Sequence, residues 1–304
     1  MSRDTRWDVV GVGCNSVDHV YRAATLPLPD SPSAKQRLTG HERMCGGQMA
    51  TALAACASFG LRTAYIGAVG NDDNGRRVMG ELRSRGVDVS AVQTRPCDNR
   101  FAVITVDDAT GDRTILWDRD PRLDLRRSDI DEALIASARL VHVDDEDEEA
   151  AILVATLGRS RGITVTSDID RLTPRTPELL AQVTMPIFAQ HILSELTGVP
   201  DVSAALQHAA APHHQMTCVT LGSRGALLLV NGEILHEPAM PVAAVDTTGA
   251  GDLFRAGFIF ALLSGAPPRE ILRMANAAAA LSCTRPGAMA SIPPLSDVQA
   301  LAAR

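Results

Sequence analysis

The stretch Asp246-Thr247-Thr248-Gly249-Ala250-Gly251-Asp252 runs directly into the apolar segment Leu253-Phe254, a loop that ends where a helix begins. Glycine, alanine and glycine at a helix start leave several backbone N–H groups without side-chain cover. With the positive end of the helix dipole, such groups form a cradle suited to phosphate. A carboxylate is a poor phosphate ligand, so Asp252 beside the cradle points to another task. That task is to take the proton from a hydroxyl whose oxygen attacks phosphorus. The plain alternative is that Asp252 only caps the helix.

Outward from this junction, apolar segments of strand length alternate with segments of helical period. Trp7–Val12, Thr63–Ala68, Leu140–Val143, Ile163–Ile169, Thr217–Leu221 and Ala226–Val230 are expected strands. Gln48–Phe59, Gly75–Arg85, Glu148–Arg161, Asp252–Leu263 and Pro268–Cys283 are expected helices, several of them closed by a glycine. Strands spaced by helices of this length imply βαβ units, hence an α/β fold with a mostly parallel sheet between helical layers. His19–Met44 and Arg100–Trp117 break the rhythm with short alternating pieces and a Gly-containing turn. They are expected to form a small β-sheet lid, from about 14–45 and 98–119, on a single domain spanning 1–304.

The 304 residues are 45% hydrophobic and 21% charged, which excludes a disordered or low-complexity chain. A net charge of −7 and a pI of about 5.6 argue against nucleic acid as a partner. No apolar run approaches the roughly 18 residues of a membrane span, and the first residues carry no signal-peptide pattern. A cytoplasmic protein with no membrane partner is expected. The six cysteines show no metal or disulfide spacing and read as buried thiols. The acidic run Asp144–Glu149 reads as a solvated helix start, and His213-His214 as solvated loop residues. Of 29 basic residues only Lys35 is a lysine, so neither a GxxxxGK[ST] loop nor a strand-borne kinase lysine is present. Gly11-Val-Gly13 after the first strand lacks the third glycine and the acidic residue of a dinucleotide site.

Asp246–Phe254 resembles the C-terminal signature Asp-Thr-x-Gly-Ala-Gly-Asp-x-Phe of the ribokinase-like (PfkB) carbohydrate kinases. The likeness extends along the chain. Asn15-Ser-Val-Asp18 is similar to the family's Asn-x-x-Asp, Gly46-Gly47 to its N-terminal signature, and Gly70–Gly75 to its Gly-Asp-Asp turn. Thr220–Gly225 looks like the nucleotide-side loop, and Ala277–Gly287 like the adenine-contacting helix and the loop after it. Gly-Gly-Gln-Met-Ala-Thr-Ala and Cys-Thr-Arg-Pro-Gly look most like the subgroup that includes sulfofructose kinase.

The resemblance implies a ribokinase-like α/β/α sandwich that phosphorylates a hydroxyl of a small sugar with ATP and Mg2+. In that reading Gly249, Ala250 and Gly251 form the anion hole and Asp252 is the general base. Asp18, Gly46, Gly47 and Gln48 hold the sugar, and Thr220, Gly222, Gly225 and Asn276 the nucleotide. It also implies a monovalent cation such as K+ held by Asp246, Thr248, Ser291 and carbonyls near Cys283 and Gly287. From the residues alone, Asp18 could equally cap a turn and Asp246 could simply bind its own loop together. One departure stands out: where the family carries Asn-x-x-Glu to support Mg2+, this chain has Ala189-Gln-His-Ile192. Mg2+ would then rest on nucleotide phosphates, water and a carboxylate such as Asp168 or Asp170.

Lys35, Arg100 and Arg113 lie in or near the expected lid, where a cation could bind an anionic substituent on the sugar or simply face water. The alternation in Phe101–Val106 leaves one face to cover, which leads to an expected homodimer clasped through the lids. The rival readings are a nucleoside kinase, for which 3% aromatic residues offer little stacking surface, and a catalytically weak sugar- or nucleotide-binding member of the family.

Overall fold

Strands buried on both faces belong in the middle of a sheet covered by helices. Trp7–Val12, Thr63–Ile66, Ala138–Asp144 and Thr164–Ile169 are in that state in the computed structural model, which describes residues 6–304 apart from 28 and 33. They lie in an eight-stranded sheet in the spatial order Glu233–Glu237, Ala226–Val230, Thr217–Thr220, Met185–Ala189, Thr164–Ile169, Ala138–Asp144, Trp7–Val12, Thr63–Ile66. Every neighbouring pair is parallel except the two that involve Ala226–Val230.

Side chains alternate between the two helical layers with the period of the strand. Val9 and Leu140 pack beside the helices Gln48–Ser58, Ala250–Leu263 and Pro268–Ser282. Val10, Val12, Val141 and Val143 face Glu148–Ser160, Gln190–Thr197 and Val202–Ala209 instead. This is an α/β sandwich with a mostly parallel sheet, as the sequence resemblance implies. No helix among the described residues is long and apolar enough to cross a membrane.

A four-stranded sheet stands over one end of this body, in the order Gly40–Gly46, Ser16–Ala23, Phe101–Asp107, Arg113–Asp118. Each outer pair is antiparallel, but Ser16–Ala23 and Phe101–Asp107 run parallel where the two hairpins meet. The sequence suggests antiparallel pieces and gives no sign of that parallel seam. Arg113–Asp118 is an edge strand with all six residues exposed.

Two local readings are corrected. Asp144 and Asp145 of the acidic run are not solvated: they are 0% and 2% exposed. They sit where parallel strands end, and their carboxylates bind loops of the neighbouring strands. Asp144 accepts the N–H groups of Cys14 (2.7 Å) and Glu146 (3.0 Å), and Asp145 those of Asp170 and Arg171. A Cβ at Gly13 would lie 2.2 Å from the Asp144 carboxyl, which accounts for the second glycine of Gly11-Val-Gly13. His213 and His214 are half-buried with rings 4.5 Å apart, and burial lowers the His214 pKa to about 4.

Helix Ala250–Leu263 is pressed onto Pro268–Ser282 at Gly257, where a Cβ would meet the Met274 carbonyl oxygen at 2.8 Å and Ala278 at 3.0 Å. Gly257→Ala should therefore destabilise the fold by about 1–3 kcal/mol, read as a lower Tm in a thermal melt. An unchanged Tm would show that the two helices have room to separate.

Candidate active site

The crevice beyond the carboxyl ends of parallel strands is where sheets of this kind bind ligands. Helix Ala250–Leu263 begins there. Its N-cap Gly249 has a φ of 79°, and a Cβ at this position would lie 2.8 Å from Ala288. Only glycine fits that turn. Ala250 donates its N–H back to the Thr247 carbonyl at 3.2 Å, and Leu253 donates to Gly249 at 2.9 Å. The N–H groups of Gly249, Gly251 and Asp252 have no acceptor among the described residues. The open amides are thus at 249, 251 and 252, whereas the sequence suggested 249, 250 and 251.

Asp252 is half-buried on the first turn of this helix. Withdrawal from water and the nearby Asp168 carboxylate push its pKa well above the ordinary range, while Arg255 pulls the other way. Arg255, one helical turn on, points inward. Its guanidinium meets Asp168 at 2.5 Å with both side chains 4% exposed. Burial, only partly offset by Arg255, raises the Asp168 pKa to about 7. His142 is buried beside this pair and hydrogen-bonded to Thr166, and burial together with Arg255 holds its pKa down at about 3. The sequence did hold a signal for Arg255: it is the lone charge in the apolar run Leu253–Leu263.

On the lid side, Asp18 is half-buried on strand Ser16–Ala23, and desolvation raises its pKa. It nests against Gly46, where a Cβ would lie 2.7 Å from its Oδ2. Gly47 caps helix Gln48–Ser58 so close to Asn15 that a Cβ would sit 2.5 Å from the Asn15 Cα. The structure therefore brings Asp18, Gly46, Gly47 and half-buried Gln48 together. Asn15 is fixed from within, donating to the Tyr65 hydroxyl (2.9 Å) and the Ala68 carbonyl (2.8 Å).

Of the three cations named for an anionic substituent, Arg100 stands beside this group, its carbonyl accepting the Val17 N–H at 3.2 Å and its charge acting on Asp18. Arg100 lies 3.5 Å from Glu146 and over the Trp117 ring at 5.2 Å. Lys35 is exposed beside a cavity shared with Tyr21, Leu26 and Thr105. Asp18 and Tyr21 are three residues apart on one strand and face opposite sides of the lid, so Lys35 lies on the face away from Asp18.

On the other side of the anion loop is a cavity of about 460 Å³ lined by Thr220, Gly222, Gly225, Gly251, Asn276 and Cys283, among others. Its walls at Met240, Pro241, Val242, Ala279 and Ala280 are apolar. Asn276 donates to the carbonyls of Glu237 (3.0 Å) and Pro238 (3.1 Å), fixing one wall to the other. The space is large enough for a nucleoside and ends at the open Gly251 amide.

Several oxygens of the expected monovalent-cation site have hydrogen-bond partners within the chain. Asp246 accepts from the Thr248 N–H and hydroxyl and from the Gly287 N–H, all within 2.9 Å. The Cys283 carbonyl accepts from Val245 and Asp246, and the Ser291 hydroxyl donates to the Ala288 carbonyl. The same Asp246 oxygen also meets the lid residue Arg113 at 2.9 Å. The Asp246 carboxylate is thus the most fully bonded member of the set, with both oxygens accepting. For Mg2+, Asp168 is committed to Arg255, and no group of three or more His, Cys, Asp or Glu among the described residues could hold a metal. Asp170 has a largely exposed carboxylate.

The sequence model of the pfkB family of carbohydrate kinases matches residues 14–295. The chain is 31% identical over 286 residues to the ATP-dependent ribose-1-phosphate kinase of Halopiger xanaduensis, covering 92% of this chain and 93% of the relative. It is 30% identical to a ribokinase of Arabidopsis thaliana, covering 94% of this chain and 78% of that protein. The structure of Arabidopsis thaliana ribokinase complexed with ribose and ATP superposes with a TM-score of 0.86 at 26% identity, over 97% of this chain and 98% of that one.

Arg255→Met leaves Asp168 buried without its partner and should cost about 3–5 kcal/mol of stability, measured by urea unfolding. Adding Asp168→Asn should recover about half of the loss, because the stranded charge is then removed. Additive losses would show that the pair is not coupled.

Proposed function

This chain belongs to the pfkB family of carbohydrate kinases, and on that premise we propose that it moves the terminal phosphoryl group of ATP to a hydroxyl of a small sugar, with Asp252 as the general base. The observation that carries the reading is one junction. The cavity of nucleoside size is bounded by Gly251, whose amide is unpaired, and the next residue, Asp252, has an unpaired amide and carries its carboxylate on the same helical turn. The adenine lies between Ala279, Ala280 and the loop Thr220–Gly225, with Asn276 in the wall. Asp18, Gly46, Gly47 and Gln48 hold the sugar under the lid.

Asp252 accepts the hydroxyl proton as the sugar oxygen bonds to the γ-phosphorus, and the bond to the β–γ bridging oxygen breaks to release ADP. The amides of Gly249, Gly251 and Asp252, with the helix dipole, hold the charge on the transferring group. The raised pKa of Asp252 suits this role, since the ionised carboxylate of such an acid is a stronger base. Mg2+ would enter on the phosphates with its own water, Asp170 being the exposed carboxylate available to it, and would neutralise phosphate charge there. Closure of the lid excludes water that would otherwise hydrolyse ATP.

Lys35 lies on the lid face away from Asp18, whereas Arg100 stands close enough to act on Asp18 and is the cation placed to meet an anionic substituent. The Halopiger relative acts by name on a sugar phosphate, and the sulfofructose kinase likeness points to a sulfosugar. A screen of ADP release over neutral sugars, sugar phosphates, sugar acids and sulfosugars, with nucleosides included, decides among these. Ala189 and Ile192 in place of Asn-x-x-Glu favour a second reading, a weakly catalytic binding member. Sugar and ATP binding by calorimetry without ADP release from any compound would establish it. Asp252→Asn should lower kcat by about 10² or more while ATP still binds, and turnover near wild type would end the assignment.

The exposed edge strand Arg113–Asp118 carries Ile115, Leu116 and Trp117 at 55%, 66% and 54% exposure. We infer a homodimer joined through this edge, as unpaired apolar strands seek a partner. Light scattering should give twice the chain mass, and Leu116→Glu should shift it to the monomer. A monomeric wild type would refute the dimer.

A further inference from the structure

Arg113 crosses from the lid to the anion loop. It stands at the start of the edge strand, opposite Val106 and next to the hairpin turn, at the tip of the lid farthest from Asp18. From there its Nη1 donates to Asp246 Oδ1 (2.9 Å) and to the Thr248 hydroxyl (2.7 Å), and its Nη2 to the Thr247 hydroxyl (3.1 Å). These three acceptors are consecutive residues 133 to 135 positions away in sequence. They are the first three residues of the loop whose amides face the phosphate.

Asp246 is an anion held against a phosphate cradle, and unbalanced it would repel the phosphate that the cradle is built to hold. Four donors converge on its two oxygens: the Thr248 N–H and hydroxyl, the Gly287 N–H and the Arg113 guanidinium, which alone among them carries a charge. A monovalent metal ion would have to compete for the Asp246 carboxylate, whose two oxygens accept from Thr248, Gly287 and Arg113. The guanidinium already fills the position beside Asp246.

We propose that Arg113 is the counter-ion of the anion loop, delivered by the lid, so that lid closure rather than a bound potassium ion neutralises Asp246 and sets the cradle for phosphate. The inference rests on the kinase reading for its role but not for its test. With the lid open, Asp246 is uncompensated and the nucleotide phosphates are held less firmly. With the lid closed over a sugar, the charge is balanced and the three residues before Gly249 are tied down at their side chains. Sugar binding and nucleotide affinity are then coupled, and by linkage each strengthens the other equally. Arg113 is a positioning residue, since it acts through Asp246, Thr247 and Thr248.

The test compares wild type, Arg113→Lys and Arg113→Ala, titrated by calorimetry with a non-hydrolysable ATP analogue and Mg2+ in tetramethylammonium chloride and then in potassium chloride. Wild-type affinity should be the same in both salts within about twofold. Arg113→Ala should bind about tenfold more weakly without potassium, the worth of a partly exposed charge-assisted bond, and Arg113→Lys should fall between. Millimolar guanidinium ion should restore part of the Arg113→Ala loss, which a purely structural role would not allow. Strong potassium activation of wild type, or Arg113→Ala binding the analogue as wild type does in both salts, would overturn the proposal. ADP release over the sugar screen is measured alongside. If wild type releases none, the kinase reading fails, while the analogue titration still decides whether Arg113 serves the loop.

Discussion

A helix can offer unpaired amides to an anion only if nothing fills the space before its first turn, and Gly249 keeps that space open. Its left-handed backbone turns the loop away, and Ala288 leaves no room for a Cβ. The amides and Asp252 share that turn, so acid and anion cradle keep a fixed relation. The helix itself is fixed by close packing at Gly257. A site built on a core helix in this way is held more exactly than one carried on a loop.

Around Asp252 the charges are crowded and mostly of one sign. Asp168, Asp170 and Asp18 all raise its pKa, and Arg255 is the cation that opposes them. The choice of arginine throughout, with Lys35 the single exception, matters here. A guanidinium stays charged when buried and presents a planar set of donors, so it can meet Asp168 inside the body or three loop residues from the lid. An ammonium in either place would lose donors and, when buried, its charge.

The sequence disclosed what depends on local rules. The anion loop, the glycine-closed helices and the parallel sheet follow from spacing, turn chemistry and period. What it hid depends on neighbours distant in sequence. Asp144 and Asp145 look like a solvated run because composition cannot show which strand ends surround them. Lys35 is close to the lid in sequence, yet its cavity is shared with Tyr21, on the face opposite Asp18, and only the strand register reveals this. Arg255 was legible as a charge in an apolar helix; Arg113 was legible as a lid cation, but not its partners, which lie more than 130 residues on. The weak metal support at Ala189 and Ile192 was visible in the sequence, and Asp168 proves to be paired with Arg255.

The parallel seam of the lid has a consequence for how the molecule assembles. A hairpin closes a short loop, whereas pairing Ser16–Ala23 with Phe101–Asp107 closes a long one that holds several helices and strands, at a higher cost in chain entropy. The two halves of the lid are held in register through the body that lies between them in sequence. Elements with a small apolar cluster of their own, here Ala102, Ile104 and Val106, are those expected to open locally first, which suits a cover that must admit and release small molecules.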